Sequence, residues 1–386
     1  MKKILFISTR YPFPIFGGDK LRAFDILNFL SKKHEVDLVC LGNKNSIYNK
    51  NISFCKNIKV FHLNIFSSII NILLSFLRLE PLQNGYYFSN EMKNYINSVQ
   101  SKYDTIICHL LRSSQYMPEE FKGIKILEST DLLSSNYRQT INELSFFNPL
   151  KYIYILEKLL VVNHEKKIFQ KFKKIVFVSK VDSQNIKDKV SKNNKIYTIG
   201  NKIELNSAVF KFKKNNNKII FIGNIKYLPN KLACKDFLKN VLKKINLKYP
   251  KIKFHIIGDI SFLDKIIFER NNNVVIHGKI KNLKNIINNS ICGLCNVTIS
   301  TGFQNKVLSY MSFGIPALLS KNSFINTNFK KNKEVLVFKN NEELIKKIFY
   351  LKESKIKANQ ISKNSKLAIK KKYNADKILS KYNKII

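Results

Sequence analysis

Residues 300–320 read STGFQNKVLSYMSFGIPALLS, and the fold is decided there. The stretch follows Ile291-Cys292-Gly293-Leu294-Cys295, an apolar run that reads as a buried strand. Thr301-Gly302 is a turn. Phe303, Val307, Leu308, Met311 and Phe313 then fall close to helical spacing. Gly314-Ile315-Pro316 stops that helix, and Ala317-Leu318-Leu319 opens another strand. The unit is strand, glycine turn, helix, stop, strand. A helix that begins at a glycine after a strand presents free backbone N–H groups and the positive end of its dipole, which suits a phosphate. Lys306, one turn in, adds a mobile point charge. Taken by itself that lysine also reads as a solvated surface residue.

Working outward, the chain alternates strands and helices twice. Lys3 to Ser8 is a first strand, leading through Tyr11-Pro12-Phe13-Pro14 to Gly17-Gly18-Asp19-Lys20 and a helix with Leu21, Phe24, Leu27 and Leu30. Its turn is not G-x-G-x-x-G, so a dinucleotide site is poorly supported. Val36 to Leu41 and Lys59 to Leu63 are strands. Ile65 to Leu79 is apolar, interrupted by Ser67, Ser68, Asn71, Ser75 and Arg78, and too short to span a membrane. It reads as an amphipathic helix, packed on the core or laid on the inner membrane face.

Thr105 to Leu111 is a strand carrying His109 and running into Arg112, and Ile124 to Leu127 another that ends at Glu128-Ser129-Thr130-Asp131. Strand C-termini are where open α/β sheets place ligands. Asp131 reads as a carboxylate facing a cleft or as the cap of the next helix, roles that are not exclusive. A helical pattern at Tyr152 to Phe172 contains His164-Glu165, and Lys174 to Ser179 is the next strand. The polar Lys211 to Lys218 run closes a linker. The alternation restarts at Ile219-Ile220-Phe221-Ile222-Gly223-Asn224, with further strands at Phe254 to Gly258, Val274 to Gly278 and Glu334 to Phe338.

The composition bounds the function. A chain of 386 residues can bury two α/β cores. The net charge is +42, yet only six of the 68 basic residues are arginine, and the lysines are spread along the whole length. Readers of nucleic acid lean on arginine and concentrate charge on one face, so no specific nucleic-acid partner is expected. Attraction to anionic lipid head groups is a physical consequence of the same charge. Six cysteines with no paired framework fit a reducing cytoplasm, and Cys292-x-x-Cys295 lacks a second pair, so it reads as buried strand and not as a zinc site. The N-terminal apolar run ends at Ser8-Thr9-Arg10, too short for a signal peptide.

The 300–316 stretch resembles the nucleotide-sugar motif of family-4 glycosyltransferases, closest to the polysaccharide-type sugar transferases, where it reads approximately T-G-[IF]-Q-N-K-V-L-E-[AY]-M-[AS]-x-G-[IRK]-P. Thr301, Gly302, Gln304, Asn305, Lys306, Val307, Leu308, Met311, Gly314 and Pro316 match. The chain departs at Ser309, where most relatives carry a ribose-binding Glu, and at Thr301, where many carry another. Residues 126–138 are similar to the subgroup's D-L-V-D-A-L-S-x-N-Y-R-R, with Asp131, Leu133, Ser134, Asn136, Tyr137 and Arg138 in place. Gly223, Asn224, Tyr227, Pro229 and Asn230 match part of F-x-G-x-M-x-Y-x-P-N.

The resemblance implies an α/β protein of GT-B fold. That is two Rossmann-like domains with a cleft between them and a C-terminal helix that crosses back to the first. The expected boundaries are 1–200 for the acceptor-side domain, 201–217 for the linker, 218–365 for the nucleotide-sugar domain and 366–386 for the crossover helix. It implies sugar transfer with retention from a nucleotide diphosphate sugar to a glycan or lipid-linked acceptor in surface polysaccharide biosynthesis. Asp131 and Lys306 become the catalytic candidates. Gly17, Gly18, His109, Arg112, Gly223, Asn224, Ile280, Thr301, Gly302, Phe303, Gln304, Asn305 and Ser309 become the substrate-binding ones. No Asp-x-Asp motif is present, so no essential metal and no cofactor beyond the donor co-substrate are expected. A binding-only relative, a nucleotide-sugar epimerase and a nucleic-acid binder are the other readings.

Overall fold

Lys3–Ser8 (β1) buries every residue after its first lysine, as a strand covered on both faces must. Around it lies a seven-stranded sheet with Glu35–Gly42 (β2), Asn57–His62 (β3), Thr105–His109 (β4), Ile124–Thr130 (β5), Lys174–Phe177 (β6) and Lys195–Thr198 (β7), in the order β3-β2-β1-β4-β5-β6-β7. Every pairing is parallel. A second sheet runs β10-β9-β8-β11-β12-β13, again all parallel, from Lys218–Ile222 (β8), Lys253–Ile257 (β9), Val274–Gly278 (β10), Ser290–Cys295 (β11), Ala317–Ser320 (β12) and Leu336–Phe338 (β13). Both sheets reverse strand order beside their first strand, which is the Rossmann-type arrangement. The sequence pattern does not predict β7: it is a short, half-exposed edge strand without a continuous apolar run.

This computed structural model describes residues 1–15, 17–42, 52–187, 190, 195–206, 210–280, 282–300 and 302–386. The chain divides into two compact units, Met1–Gly200 with Ile378–Ile386, and Asn201–Lys377. The 366–386 crossover is not one helix. The Lys355–Lys372 helix ends inside the second unit, where Tyr373 packs against Phe303 and Phe329 at 5.4 and 5.2 Å between ring centroids. Only Ile378–Ile386 joins the first unit. There Tyr382 is fully buried: its hydroxyl donates to Glu128 and accepts from Arg22. Arg22 also forms a buried ion pair with Glu128 at 2.7 Å, so three residues remote in sequence satisfy one another without solvent.

The Ile65–Leu77 helix is inside out. Its protein-facing stripe is Ser68, Asn71, Ile72 and Ser75, while Ile65, Phe66, Ile69, Ile70, Leu73, Leu74, Phe76 and Leu77 are exposed. Small and polar residues are used because the Leu82–Tyr86 helix approaches very closely. A Cβ on Gly85 would lie 2.3 Å from the Asn71 carbonyl oxygen, and the Ser68 hydroxyl donates to the Tyr86 carbonyl. Packing of its apolar face on the core is therefore excluded. Among the described residues no helix is long and apolar enough to cross a membrane.

Candidate active site

In the second unit the strand order reverses between β8 and β11, so the segments leaving their C-terminal ends flank a natural ligand crevice. The helix after β11 spans Asn305–Ser312, two residues later than the sequence pattern suggests. Gly302 sits just before it at φ 66°, a left-handed conformation that glycine adopts without strain. Thr301 lies outside the described residues.

Lys306, in the first turn, is not a solvated surface lysine. It is 7% exposed, its Nζ donates to Asn230 Oδ1 at 2.6 Å, and the ammonium stands 3.8 Å from the centroid of the Phe221 ring. Burial pushes its pKa below the ordinary lysine value, opposed by Cys295 and Cys234. Among the described residues no carboxylate pairs with it. Asn230 Nδ2 donates to the Asn224 carbonyl at 2.8 Å, and a Cβ on Gly223 would come within 2.9 Å of that same nitrogen. The structure thus gathers Gly223, Asn224 and Lys306 around one amide. A Cβ on Gly258 would lie 2.0 Å from the Gly223 carbonyl oxygen, so the turns after β8 and β9 also need glycine to meet. Tyr310, one turn beyond Lys306, is fully buried. Its hydroxyl donates to the Leu294 carbonyl and accepts from the Ile222 N–H, pinning the helix to β8 and β11.

The remaining residues of the stretch are placed less uniformly. Asn305 Oδ1 accepts from Asn201 at 2.6 Å, and the Gln304 amide nitrogen reaches the Ser300 hydroxyl at 3.4 Å. Phe303 stacks into the cluster with Phe329 and Tyr373. Ser309 turns its hydroxyl back to the Asn305 carbonyl at 3.3 Å. Ile280, beyond β10, is half-buried and is not brought to Lys306 by any described contact.

In the first unit the order reverses between β1 and β4. Gly17 caps the Gly18–Leu30 helix at φ 112°, and Gly18 is that helix's first residue. Asp19 follows, and its carboxylate pairs with Arg10 at 3.1 Å and Arg112 at 3.9 Å. Although burial opposes it, these two guanidinium groups hold the Asp19 carboxyl below its usual value. Arg112 also donates to Thr9 Oγ1 at 2.7 Å and lies 4.4 Å over the Tyr87 ring, whose hydroxyl accepts two bonds from Arg10. His109 packs beneath, against Phe6, with Nε2 3.1 Å from the Asp19 carbonyl oxygen. Burial drives its pKa down to about 4, so the ring is neutral and Nε2–H is the donor.

Asp131 lies apart from this cluster. It does not cap the Leu133–Glu143 helix, whose N-cap is Leu132 without a side-chain bond. Burial, with the nearby Asp182 charge, pushes its carboxyl up to about 7, and Arg22 opposes the rise. The buried Glu165 instead accepts from the Ser134 N–H at 3.1 Å, serving the helix start that Asp131 leaves. The sequence pattern does not single out Arg10, Asp19, Tyr87 or Phe221 as site residues, and Asn230 enters it only as a motif match. Tyr87 and Phe221 carry no signal in an aromatic-rich chain, whereas Asp19 beside Gly17-Gly18 was a usable one.

Residues 235–383 match the family model described as glycosyl transferase-like. No match was found among the curated proteins. The whole chain superposes on solved structures at low identity. One is a Staphylococcus aureus TarM mutant in complex with fondaparinux, alpha-GlcNAc-glycerol and UDP, at 16% identity and TM-score 0.70, covering 100% of this chain and 99% of that one. Anabaena HepE in complex with UDP and glucose gives 14% and 0.71, with coverage of 100% and 99%. Sucrose-phosphate synthase of Thermosynechococcus elongatus gives 13% and 0.73, with 100% and 98%. These are GT-B proteins, and the resemblance seen in the 300–316 stretch extends to the fold of the entire chain. The chain thus has the GT-B fold, and its residues 235–383 match the family model described as glycosyl transferase-like.

Proposed function

We propose that the protein is a glycosyltransferase that moves a sugar from a nucleotide diphosphate sugar to a glycan or lipid-linked acceptor, with retention of anomeric configuration. The observation that carries this reading is Lys306: a buried cation with a neutral amide for its partner, in the first turn of a helix at the switch point of a parallel sheet. A buried charge without a counter-ion is costly, and an incoming diphosphate supplies what the site lacks. UDP in the HepE and TarM complexes supports a uridine donor class, and the glycan-like ligands of TarM support the acceptor class.

In the transfer, the bond between the anomeric carbon and the diphosphate oxygen breaks and negative charge grows on the leaving group. The Gly302 and Phe303 N–H groups and Lys306 stabilise that charge where it develops. The leaving phosphate takes the acceptor's proton as the new glycosidic bond forms on the same face. Asp131 contacts a sugar hydroxyl. No divalent metal is essential in this scheme; activity lost to a chelator and restored by a metal would overturn that part. The outward apolar face of the Ile65–Leu77 helix, on a +42 chain, supports peripheral association with an anionic membrane where a lipid-linked acceptor would sit.

The test is a thermal-shift screen against UDP, GDP, ADP, CMP and TDP at fixed salt. Binding to the folded state raises the melting temperature by mass action. One selective rise, surviving in near-physiological salt, is expected. Equal rises with all five that salt abolishes would reduce the site to non-specific anion attraction, and no rise would sink the donor reading.

A further inference from the structure

Arginine is rare in this chain, six of 68 basic residues, so lysine supplies the general positive charge. Two of the six nevertheless converge in the first unit, just beyond the C-terminal ends of β1 and β4. Arg10 and Arg112 share the Asp19 carboxylate, at 3.1 and 3.9 Å. Both guanidinium groups also stand over the Tyr87 ring, 5.6 and 4.4 Å from its centroid. An ion pair needs one cation. Here two face one carboxylate, and the His109 ring beneath them is neutral, so one positive charge is left over.

The two arginines differ in the donors they have left. Arg10 engages Nε, Nη1 and Nη2, each bonded to Tyr87 or Asp19. Arg112 bonds only through Nε, to Thr9 Oγ1. Its Nη2 is 3.9 Å from Asp19, beyond hydrogen-bond range, and no described residue hydrogen-bonds Nη1. Neither nitrogen is sealed from solvent, although the side chain is only 14% exposed. The pair forms the outer edge of a planar fork, the geometry that grips two oxygens of a carboxylate or phosphate. The Tyr87 hydroxyl has matching chemistry: it accepts twice from Arg10 and so has only its proton to offer. The backbone is strained where it presents the fork. Leu110, between β4 and the 3₁₀ segment Leu111–Tyr116, sits at φ 71° and ψ 151°, a region nearly restricted to glycine.

We propose that Arg112, held in place by Asp19 and Tyr87, recognises an acidic group on the acceptor, a carboxylate or a phosphate carried by a sugar. The assignment to the acceptor rests on the glycosyltransferase reading, whereas the anion site stands on the geometry of the first unit alone. A neutral sugar leaves the fork empty. A lysine at this position keeps the charge and loses the fork, which separates the site from the general attraction of a +42 chain for anions.

The full chain is titrated by calorimetry in near-physiological salt with methyl glucuronide, glucose 6-phosphate and methyl glucoside. At least one acidic sugar is expected to bind and the neutral one is not; which acidic sugar binds names the group. Arg112→Lys and Arg112→Gln should each weaken that binding about tenfold or more. Lys122→Gln, at an exposed position of the same unit, removes the same charge as Arg112→Gln and should leave binding unchanged. Far-UV circular dichroism and the melting midpoint establish that each variant is folded, and if Arg112→Gln is not, Arg112→Lys decides. Binding of neither acidic sugar, equal binding of the neutral one, or full retention in Arg112→Lys overturns the anion site. A repeat with saturating UDP tests the assignment. Acidic-sugar binding that survives supports the acceptor, and displacement by UDP overturns it and gives the fork to the donor. No UDP-induced thermal shift, with acidic-sugar binding intact, would sink the donor reading and leave the anion site standing.

Discussion

Lys306 carries its charge into a place where the hydrogen-bond partner is Asn230, the ring beneath it is Phe221, and no carboxylate answers it among the described residues. A structural lysine would be expected to lose stability on truncation; a ligand-binding one need not. Lys306→Met keeps the volume and removes a desolvated charge. Its folding stability is expected to stay level or rise by about 1 kcal/mol, while affinity for the nucleotide falls about tenfold or more. Urea melts and nucleotide titration of the same variant check both halves; loss of stability with unchanged binding would make Lys306 a packing residue. Ser309 gives a companion prediction. Its hydroxyl is turned to the Asn305 carbonyl, so Ser309→Glu frees the helix of that back-bond and adds the carboxylate that most relatives use for ribose. Tighter nucleotide binding is expected, and unchanged or weaker binding would mean ribose is held elsewhere. The position of Lys306 was legible because the motif is contiguous and helical. Its partners were not: Asn230 lies 76 residues earlier, and only the adjacency of β8 and β11 brings it near.

The Ile65–Leu77 helix inverts the usual arrangement, with serines and an asparagine inward and large apolar side chains outward. Each exposed Ile or Leu that moves from water into lipid contributes about 1.5–3 kcal/mol. Replacing Ile69, Ile70 and Leu73 together by glutamine is expected to leave the thermal midpoint within about 2 °C of the parent, since these side chains make no core contact. Binding to anionic vesicles should drop about tenfold or more. Unchanged vesicle binding in the triple variant would sink the membrane role. The sequence showed an apolar segment of non-spanning length, but left its facing open between core and membrane. The clue was present: Ser68, Asn71 and Ser75 recur at helical spacing, and Gly85 follows to let a neighbour approach. Periodicity finds the two faces of a helix. Which of them meets the protein depends on the partner's shape, and that is set by the tertiary packing. The same limit hid the end of the Lys355–Lys372 helix, where an aromatic cluster drawn from three separate segments fixes Tyr373.

Across the whole molecule, buried ionisable groups predict how stability follows pH. Burial drives His109, His164 and His255 down to about 4, the last beside His277 at 2.8 Å. Their unfolded value is near the ordinary 6.5, so between these two values the unfolded chain binds protons that the folded chain refuses. Stability from these histidines is therefore complete above about pH 6.5 and is lost as pH falls toward 4. Asp131 has the opposite sign. Its folded value of about 7 lies above the unfolded one, so the folded state keeps a proton that the unfolded state releases, and its contribution is lost as pH rises through 7. Three histidines outweigh one carboxyl, and the net expectation is a falling urea midpoint between pH 6.5 and 4. Asp131→Asn separates the terms. At pH 8, where the buried carboxylate is forced to ionise, the variant should be more stable than the parent by about 1–3 kcal/mol, and the advantage should vanish near pH 4. A variant no more stable at pH 8 would show that Asp131 ionises at its ordinary value and is solvated. Under the proposed function the comparison extends to activity: a carboxyl titrating near 7 predicts that sugar transfer depends on pH in the neutral range, and Asp131→Asn is expected to flatten that profile.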